Sequence, residues 1–161
     1  LDDELLRISK ESFDALSFNC YALSPDHEKM NHALEISGLP MIIGEYHFGT
    51  VDRGLAQSLW QVNSQKERGD AFRYYTENAF AHRGLIGTGW FRWIDQNING
   101  RTDGENYNCG FIDVTDRPYP YMVDAAIETA KSLYEIHSGT KTPFHQAPNA
   151  VGHSPIPDLW E

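Results

Sequence analysis

Three short apolar runs along the chain each end in polar and aromatic residues, and they predict three β-strands. The clearest run covers residues 41–43, lies between a proline and a glycine, and leads into Glu45. A continuous apolar run between turn residues is typical of a strand buried on both faces, as in a parallel sheet. The other two predicted strands are residues 15–21 and residues 85–93.

Longer segments with helical spacing of apolar residues separate these strands. They cover residues 1–11, 24–37, 66–82 and 119–138. In the second helix, Ser24 is the predicted N-cap, Pro25 the first helical residue and Gly38 the stop. The predicted buried stripe of the last helix is Met122, Ala126, Ala130 and Leu133.

This alternation of strands and helices defines the fold class as α/β. Such an order implies parallel strands joined by right-handed crossovers. Residues 1–139 form the predicted domain. Residues 140–161 contain four prolines and no period, so they form a predicted irregular C-terminal tail.

Composition narrows the range of partners. The chain has 23 acidic and 13 basic residues, a net charge of −10, and this excess repels phosphate backbones, so we expect no nucleic-acid partner. No apolar run reaches the ~20 residues that a membrane-spanning helix needs, so we expect no membrane partner. Cys20 and Cys109 have no metal-binding spacing, nor do the histidines. We therefore predict no metal and no cofactor, and a disulfide between the two cysteines stays open.

Polar and aromatic side chains follow each predicted strand. They are Asn19 and Tyr21, then Glu45 and His47, then Trp90, Trp93, Asp95 and Gln96. Because the carboxyl ends of parallel strands share one edge, we expect these groups to converge there, where α/β barrels build their active sites. Each group also has a structural interpretation. The tyrosine and tryptophans fit a core, His47 fits a hydrogen-bonded structural imidazole, and residues 103–106 fit a turn.

Two motifs in this order resemble the family-50 beta-agarases, which are retaining glycoside hydrolases built on (β/α)8 barrels. The first is IIGEYHFG at residues 42–49, followed by DRG at residues 52–54. The second starts at Trp90-Phe91 and continues through DGENYN at residues 103–108 and GFIDVTD at residues 110–116. The resemblance covers residues 16–139. It implies that the chain is the C-terminal portion of a TIM barrel, strands six to eight with their helices.

The resemblance also implies roles for the residues that match. Glu45 matches the catalytic nucleophile, and Tyr21 matches a tyrosine that hydrogen-bonds it. Trp90 or Trp93 would form the aromatic platform beneath the sugar. The remaining expected substrate contacts are Asn19, His47, Asp95, Gln96, Asp103, Glu105 and Asn106.

One part of such an enzyme is missing from the sequence. A complete barrel takes at least about 200 residues, whereas this chain has 161. The general acid of this clan usually follows an asparagine at a strand end, and no such pair occurs here: Glu77-Asn78 is reversed and lies on a predicted helix. We therefore expect the acid to lie outside this chain, and the isolated chain to be inactive. Its expected partners are the rest of the barrel or another copy of the chain, and a galactan-type polysaccharide.

Three alternatives remain open at this point. Glu105 or Asp103 could supply an acid from the loop. The chain could be a non-catalytic carbohydrate-binding or interaction fragment, or part of a beta-galactosidase-like hydrolase of the same clan. A polysaccharide substrate implies a secreted or periplasmic protein, by resemblance only.

Overall fold

The computed structural model describes residues 2–152. Its elements, in chain order, are α1 (Asp3–Ser12), β1 (Leu16–Asn19), α2 (His27–Ser37), β2 (Met41–Tyr46), β3 (Trp60–Gln61), α3 (Gln65–Phe80), β4 (Leu85–Trp90), α4 (Pro120–His137) and β5 (Val151–Gly152). Each predicted helix and strand is confirmed, and the ends differ from the prediction by at most three residues.

The main sheet has three strands in the order β1-β2-β4, and both pairings are parallel. The α/β fold class with parallel strands is therefore confirmed. The core lies between one face of this sheet and the helices, where Met41, Ile43 and Leu85 are fully buried. On the other face, Ser17 is exposed and Ile86 is 56% exposed.

The start of α2 differs from the prediction. Asp26, not Ser24, is the N-cap, and its side chain accepts hydrogen bonds from the backbone N–H groups of Glu28 and Lys29. A carboxylate also interacts favourably with the positive end of the helix dipole, which favours Asp26 over a serine two residues earlier. The predicted stop at Gly38 is confirmed, because this residue has a left-handed φ of 68°.

The buried stripe of α4 also differs from the prediction. Five residues are buried: Met122, Ala125, Thr129, Ser132 and Ile136. Only Met122 belongs to the predicted stripe, and Ala130 is exposed. The stripe turns toward polar residues because α4 packs on α3, where the Thr129 hydroxyl donates to the buried Glu77 carboxylate at 3.1 Å.

After α4 the chain has no helix or strand between residues 138 and 150. Val151–Gly152 then pairs antiparallel with Trp60–Gln61, a short strand that the sequence did not predict. The rest of the predicted tail, residues 153–161, lies outside the described residues. Among the described helices, none is long and apolar enough to cross a membrane.

Candidate functional site

The carboxyl edge of the sheet holds a hydrogen-bonded pair, Tyr21 and Glu45. Asn19 pairs with Glu45 in the sheet register, and the Cys20 backbone N–H donates to the Glu45 carbonyl at 2.9 Å. The chain after β1 thus stays beside β2, and the Tyr21 hydroxyl donates to Glu45 Oε2 at 2.7 Å. Burial and this hydrogen bond raise the pKa of Tyr21 above its usual value, so the phenol stays a donor.

Asn19 lies at the same edge. Asn19 is exposed to solvent. If Gly44 carried a Cβ atom, that atom would lie 2.9 Å from Asn19 Oδ1. The amide therefore occupies the space next to Glu45 that the missing side chain of Gly44 leaves free. Asn19, Tyr21 and Glu45 are brought together as predicted from the strand order, while their roles stay predictions.

His47 is 2% exposed and uses both ring nitrogens within the chain. Nδ1 lies 3.1 Å from the Phe91 carbonyl oxygen, and Nε2 accepts from the Leu59 N–H at 3.2 Å. This pairing fits a neutral ring with its proton on Nδ1. Burial lowers its pKa to about 3. His47 thus joins the two ends of the loop between β2 and β3 to Phe91 after β4, which fits its structural interpretation, while a substrate contact through it stays a prediction.

Two aromatic rings that the sequence reading missed surround this histidine. Phe91 and Tyr107 each have ring centroids 5.9 Å from His47, and Tyr21 meets it edge-on at 4.9 Å. Phe91 directly follows the last residue of β4, so its position at a strand end was a usable signal. Tyr107 lies far along the following loop, in the DGENYN motif, but no strand-end position marked it as a site residue.

The two candidate platform residues have different environments. Trp90 donates its indole N–H to the Cys109 carbonyl at 2.6 Å and packs edge-on against Tyr46 in the interior. Trp93 is 69% exposed and stacks on Phe111 with an interplanar angle of 19°. Of the two, Trp93 presents more ring surface to solvent, whereas Trp90 is bound into the fold.

Asp95 is a structural carboxylate. It is 3% exposed and accepts hydrogen bonds from Asn108 Nδ2, from the Gly110 N–H at 2.7 Å and from the Tyr119 hydroxyl at 2.6 Å. The fully buried Arg68 guanidinium lies over the Tyr119 ring, 5.0 Å from its centroid. Its oxygens accept from donors that fix the loop after β4, which favours a structural role, while a substrate contact through Asp95 stays a prediction.

Gln96 is also hydrogen-bonded within this loop, and a substrate contact through it stays a prediction. It is fully buried, its Oε1 accepts from the Tyr107 N–H at 2.7 Å, and its Nε2 donates to Glu105 Oε2 at 2.7 Å. Its side chain orders the loop that carries the aromatic and acidic residues. It does not reach an open surface.

The acidic turn after Gln96 carries Asp103, Glu105 and Asn106. Arg101 pairs with Asp103 at 2.5 Å and with Glu105 at 3.4 Å. The backbone N–H of Glu105 is the main cause of the lowered pKa of Asp103. The Asn106 amide lies 3.5 Å from the Ile98 carbonyl. The turn interpretation of residues 103–106 thus fits, and Asp103 remains exposed at the surface.

Burial is the main cause of the raised pKa of Tyr21, and the charge of Glu105 makes a small contribution to it. Its carboxylate accepts from Gln96 and Arg101, which suits a charged acceptor and not a proton donor. Within residues 2–152, no group of three or more His, Cys, Asp or Glu side chains is arranged to hold a metal ion. Cys20 and Cys109 are both buried, and they form no disulfide with each other.

Comparison with known proteins adds sequence evidence to this geometry. No protein-family model matches the chain. Over 128 residues, 75% of this chain, it is 39% identical to a curated beta-agarase A from Vibrio sp. (strain JT0107) and 37% identical to beta-agarase B of the same strain. The resemblance to the family-50 beta-agarases is confirmed.

Solved structures agree with the sequence comparison. An exo-beta-agarase matches 84% of this chain with a TM-score of 0.79 and 36% identity. The agarase AgWH50C matches 85% with a TM-score of 0.80 and 37% identity. The chain spans 13% of the curated beta-agarases and 18% and 20% of these two structures. A Faecalibacterium prausnitzii beta-glucuronidase, at 20% identity and a TM-score of 0.52, shares the fold alone.

Proposed function

We propose that this chain is the nucleophile-bearing part of the catalytic barrel of a retaining beta-agarase. One observation carries the proposal: in a segment similar to beta-agarases, Glu45 lies at the carboxyl edge of a parallel sheet and accepts a 2.7 Å hydrogen bond from Tyr21. Active sites of α/β barrels lie at this edge. The chemistry assigned to Glu45 is attack on the anomeric carbon of a beta-galactosidic bond in an agarose-type polysaccharide.

In this mechanism the Glu45 carboxylate forms a glycosyl–enzyme bond as the leaving oxygen takes a proton from an acid about 5–5.5 Å away, and water then releases the sugar. Tyr21 holds one carboxylate oxygen and so fixes the direction of the other. Glu105 is an alternative acid within the chain, but its hydrogen bond from Gln96 and its ion pair with Arg101 argue against that role. The acid is therefore assigned to a segment outside this chain, and the exported location implied by the resemblance remains part of the proposal.

The sheet itself supports a role for further strands. Among the described residues, β1 and β4 each pair on one side only, and the face carrying Ser17 and Ile86 is open. Open edges and an uncovered apolar face favour pairing with additional strands. We therefore propose that the rest of a (β/α)8 barrel closes on this sheet, with residues 1–139 as its last part.

Trapping the covalent intermediate tests the proposal. A longer protein carrying this segment is incubated with a 2-fluoro galactoside bearing a good leaving group and digested for mass spectrometry. We expect the sugar on the peptide that contains Glu45, and no adduct in E45Q. An adduct on another carboxylate contradicts the assignment of Glu45.

The same experiment separates the proposal from the carbohydrate-binding alternative. A binding module forms no adduct, and it keeps its affinity for agarose oligosaccharides after E45Q. Binding is measured by calorimetry with neoagaro-oligosaccharides for the parent protein and for E45Q. Retained affinity without any adduct in the parent protein rejects the glycosidase proposal.

A further inference from the structure

The backbone around Tyr21 accepts hydrogen bonds from two aromatic side chains. The Tyr75 hydroxyl donates to the Cys20 carbonyl at 2.6 Å, and the Trp60 indole N–H donates to the Tyr21 carbonyl at 2.7 Å. Tyr75 is fully buried in the core, whereas Trp60 lies at intermediate depth on the short strand β3. The backbone on which the Glu45 partner sits is thus fixed by a residue that is 39 positions further along the chain.

Trp60 is itself held on two sides. On one side, its carbonyl accepts from the Gly49 N–H at 2.8 Å and from the Ser58 hydroxyl at 3.1 Å, which joins it to the loop after β2. On the other side, β3 pairs with β5, and Gly152 faces the indole. A Cβ at Gly152 would lie 3.0 Å from the indole Cζ2 atom, so the end of the tail passes close against the ring.

The tail reaches this position along a fixed path. We define residues 140–152 as the C-terminal strap. Near its start, the Phe144 N–H donates to Glu77 at 2.8 Å, Asn78 donates to the Phe144 carbonyl at 3.1 Å, and Arg73 lies 4.6 Å from the Phe144 ring centroid. The strap is therefore bound to α3 near its start. Its end pairs with β3 and packs against Trp60.

We propose that Trp60 is a positioning residue for the candidate nucleophile, acting through Tyr21, and that the C-terminal strap holds Trp60 in place. The route is continuous: the strap packs against the indole, the indole N–H fixes the Tyr21 backbone, and the Tyr21 hydroxyl fixes Glu45. Trp60 touches no reacting atom in this scheme. The inference rests on the proposed function, because positioning matters only if Glu45 reacts.

A double-mutant cycle on a longer protein carrying this segment tests the kinetic part. W60F keeps an aromatic ring and removes the N–H donor. We expect W60F to lower kcat on agarose about 5-fold with little change in KM, since one hydrogen bond is lost. In a Y21F background the same change should have almost no effect, because its route to Glu45 is already broken.

A merely structural role gives a different result. If Trp60 only stabilises the fold, W60F lowers activity by the same factor with and without Y21F, and this additivity overturns the proposal. G152V is the second variant, since its side chain presses on the indole and leaves Trp60 itself unchanged. It should show the same dependence on Tyr21. Y134F, at an 88% exposed tyrosine of α4, is the control and should change neither constant.

Hydrogen exchange tests the geometry without any activity. In W60F, amides of residues 19–24 should exchange at least several-fold faster than in the parent protein, while peptides from α4 stay unchanged. Unchanged exchange at residues 19–24 overturns the proposal even if the enzyme is active. Conversely, faster exchange in a protein with no activity and no adduct rejects the proposed function and leaves the Trp60–Tyr21 link standing.

Discussion

Two carboxylates, one at the end of β2 and one in the loop after the neighbouring strand β4, have opposite surroundings. Glu45, at the end of β2, is partly exposed and accepts a side-chain hydrogen bond from Tyr21. Asp95, beyond β4, is almost fully buried and is bound by Asn108, Gly110 and Tyr119. A nucleophile needs a free oxygen facing substrate, while a structural carboxylate uses its oxygens to order the chain. The environment of Glu45 therefore fits the proposed nucleophile, whereas that of Asp95 fits a structural carboxylate.

The same chemical change at both positions sharpens this comparison. E45Q should lower turnover of agarose by at least about 10³-fold, because an amide cannot act as the nucleophile. Its melting temperature should stay close to that of the parent protein. Initial rates and thermal melts of a longer protein carrying this segment measure both effects. Turnover within tenfold of the parent would remove Glu45 from the mechanism.

D95N should have the reverse effect. The amide places an N–H₂ among groups that are themselves donors, so the free energy of unfolding should fall by about 3–5 kcal/mol. Urea unfolding of D95N beside the exposed control D103N measures it. A loss below about 1 kcal/mol would show that the buried network does not depend on this charge.

Acid should weaken the neighbourhood of Glu45 through His47. Its folded pKa, about 3, lies below the ordinary value of 6.5, so the unfolded chain takes up the proton first as the pH falls. Above pH ~6.5 the histidine is neutral in both states and does not lower the free energy of unfolding. Below that pH, the free energy of unfolding declines by about 1.4 kcal/mol per pH unit toward pH ~3. H47Q should therefore have a flatter stability profile between pH 6.5 and 4 in urea titrations. H145Q, at an exposed histidine of the strap, is the matched control.

Of the changes at this edge of the sheet, Y21F should produce the smallest effect. Losing one hydrogen bond to a charged oxygen should lower kcat about 10-fold and leave KM nearly unchanged. Y134F again provides the control for the loss of a hydroxyl. If Y21F lowers only stability and leaves kcat unchanged, the bond between Tyr21 and Glu45 belongs with the structural contacts of Asp95.

The sequence was informative where a property depends on nearby residues. The apolar run before Glu45 predicted a buried parallel strand, Gly38 predicted the end of α2, and the strand–helix order predicted one shared edge. These features follow from local conformational preferences and from the period of apolar residues. The placement of Tyr21 beside Glu45 came from the resemblance and agrees with that edge.

Tertiary structure alone decided which polar side chains remain available at that edge. His47 pairs with groups 44 and 12 positions away, and Asp95 with groups 13 to 24 positions away. Such pairings depend on the path of the loops in three dimensions, which no one-dimensional period encodes. For the same reason the sequence did not indicate Tyr107 beside His47, the polar stripe of α4, or the strap behind Trp60. Local patterns fixed the strands and the edge, and long-range hydrogen bonds and packing determined which residues there are open to a ligand.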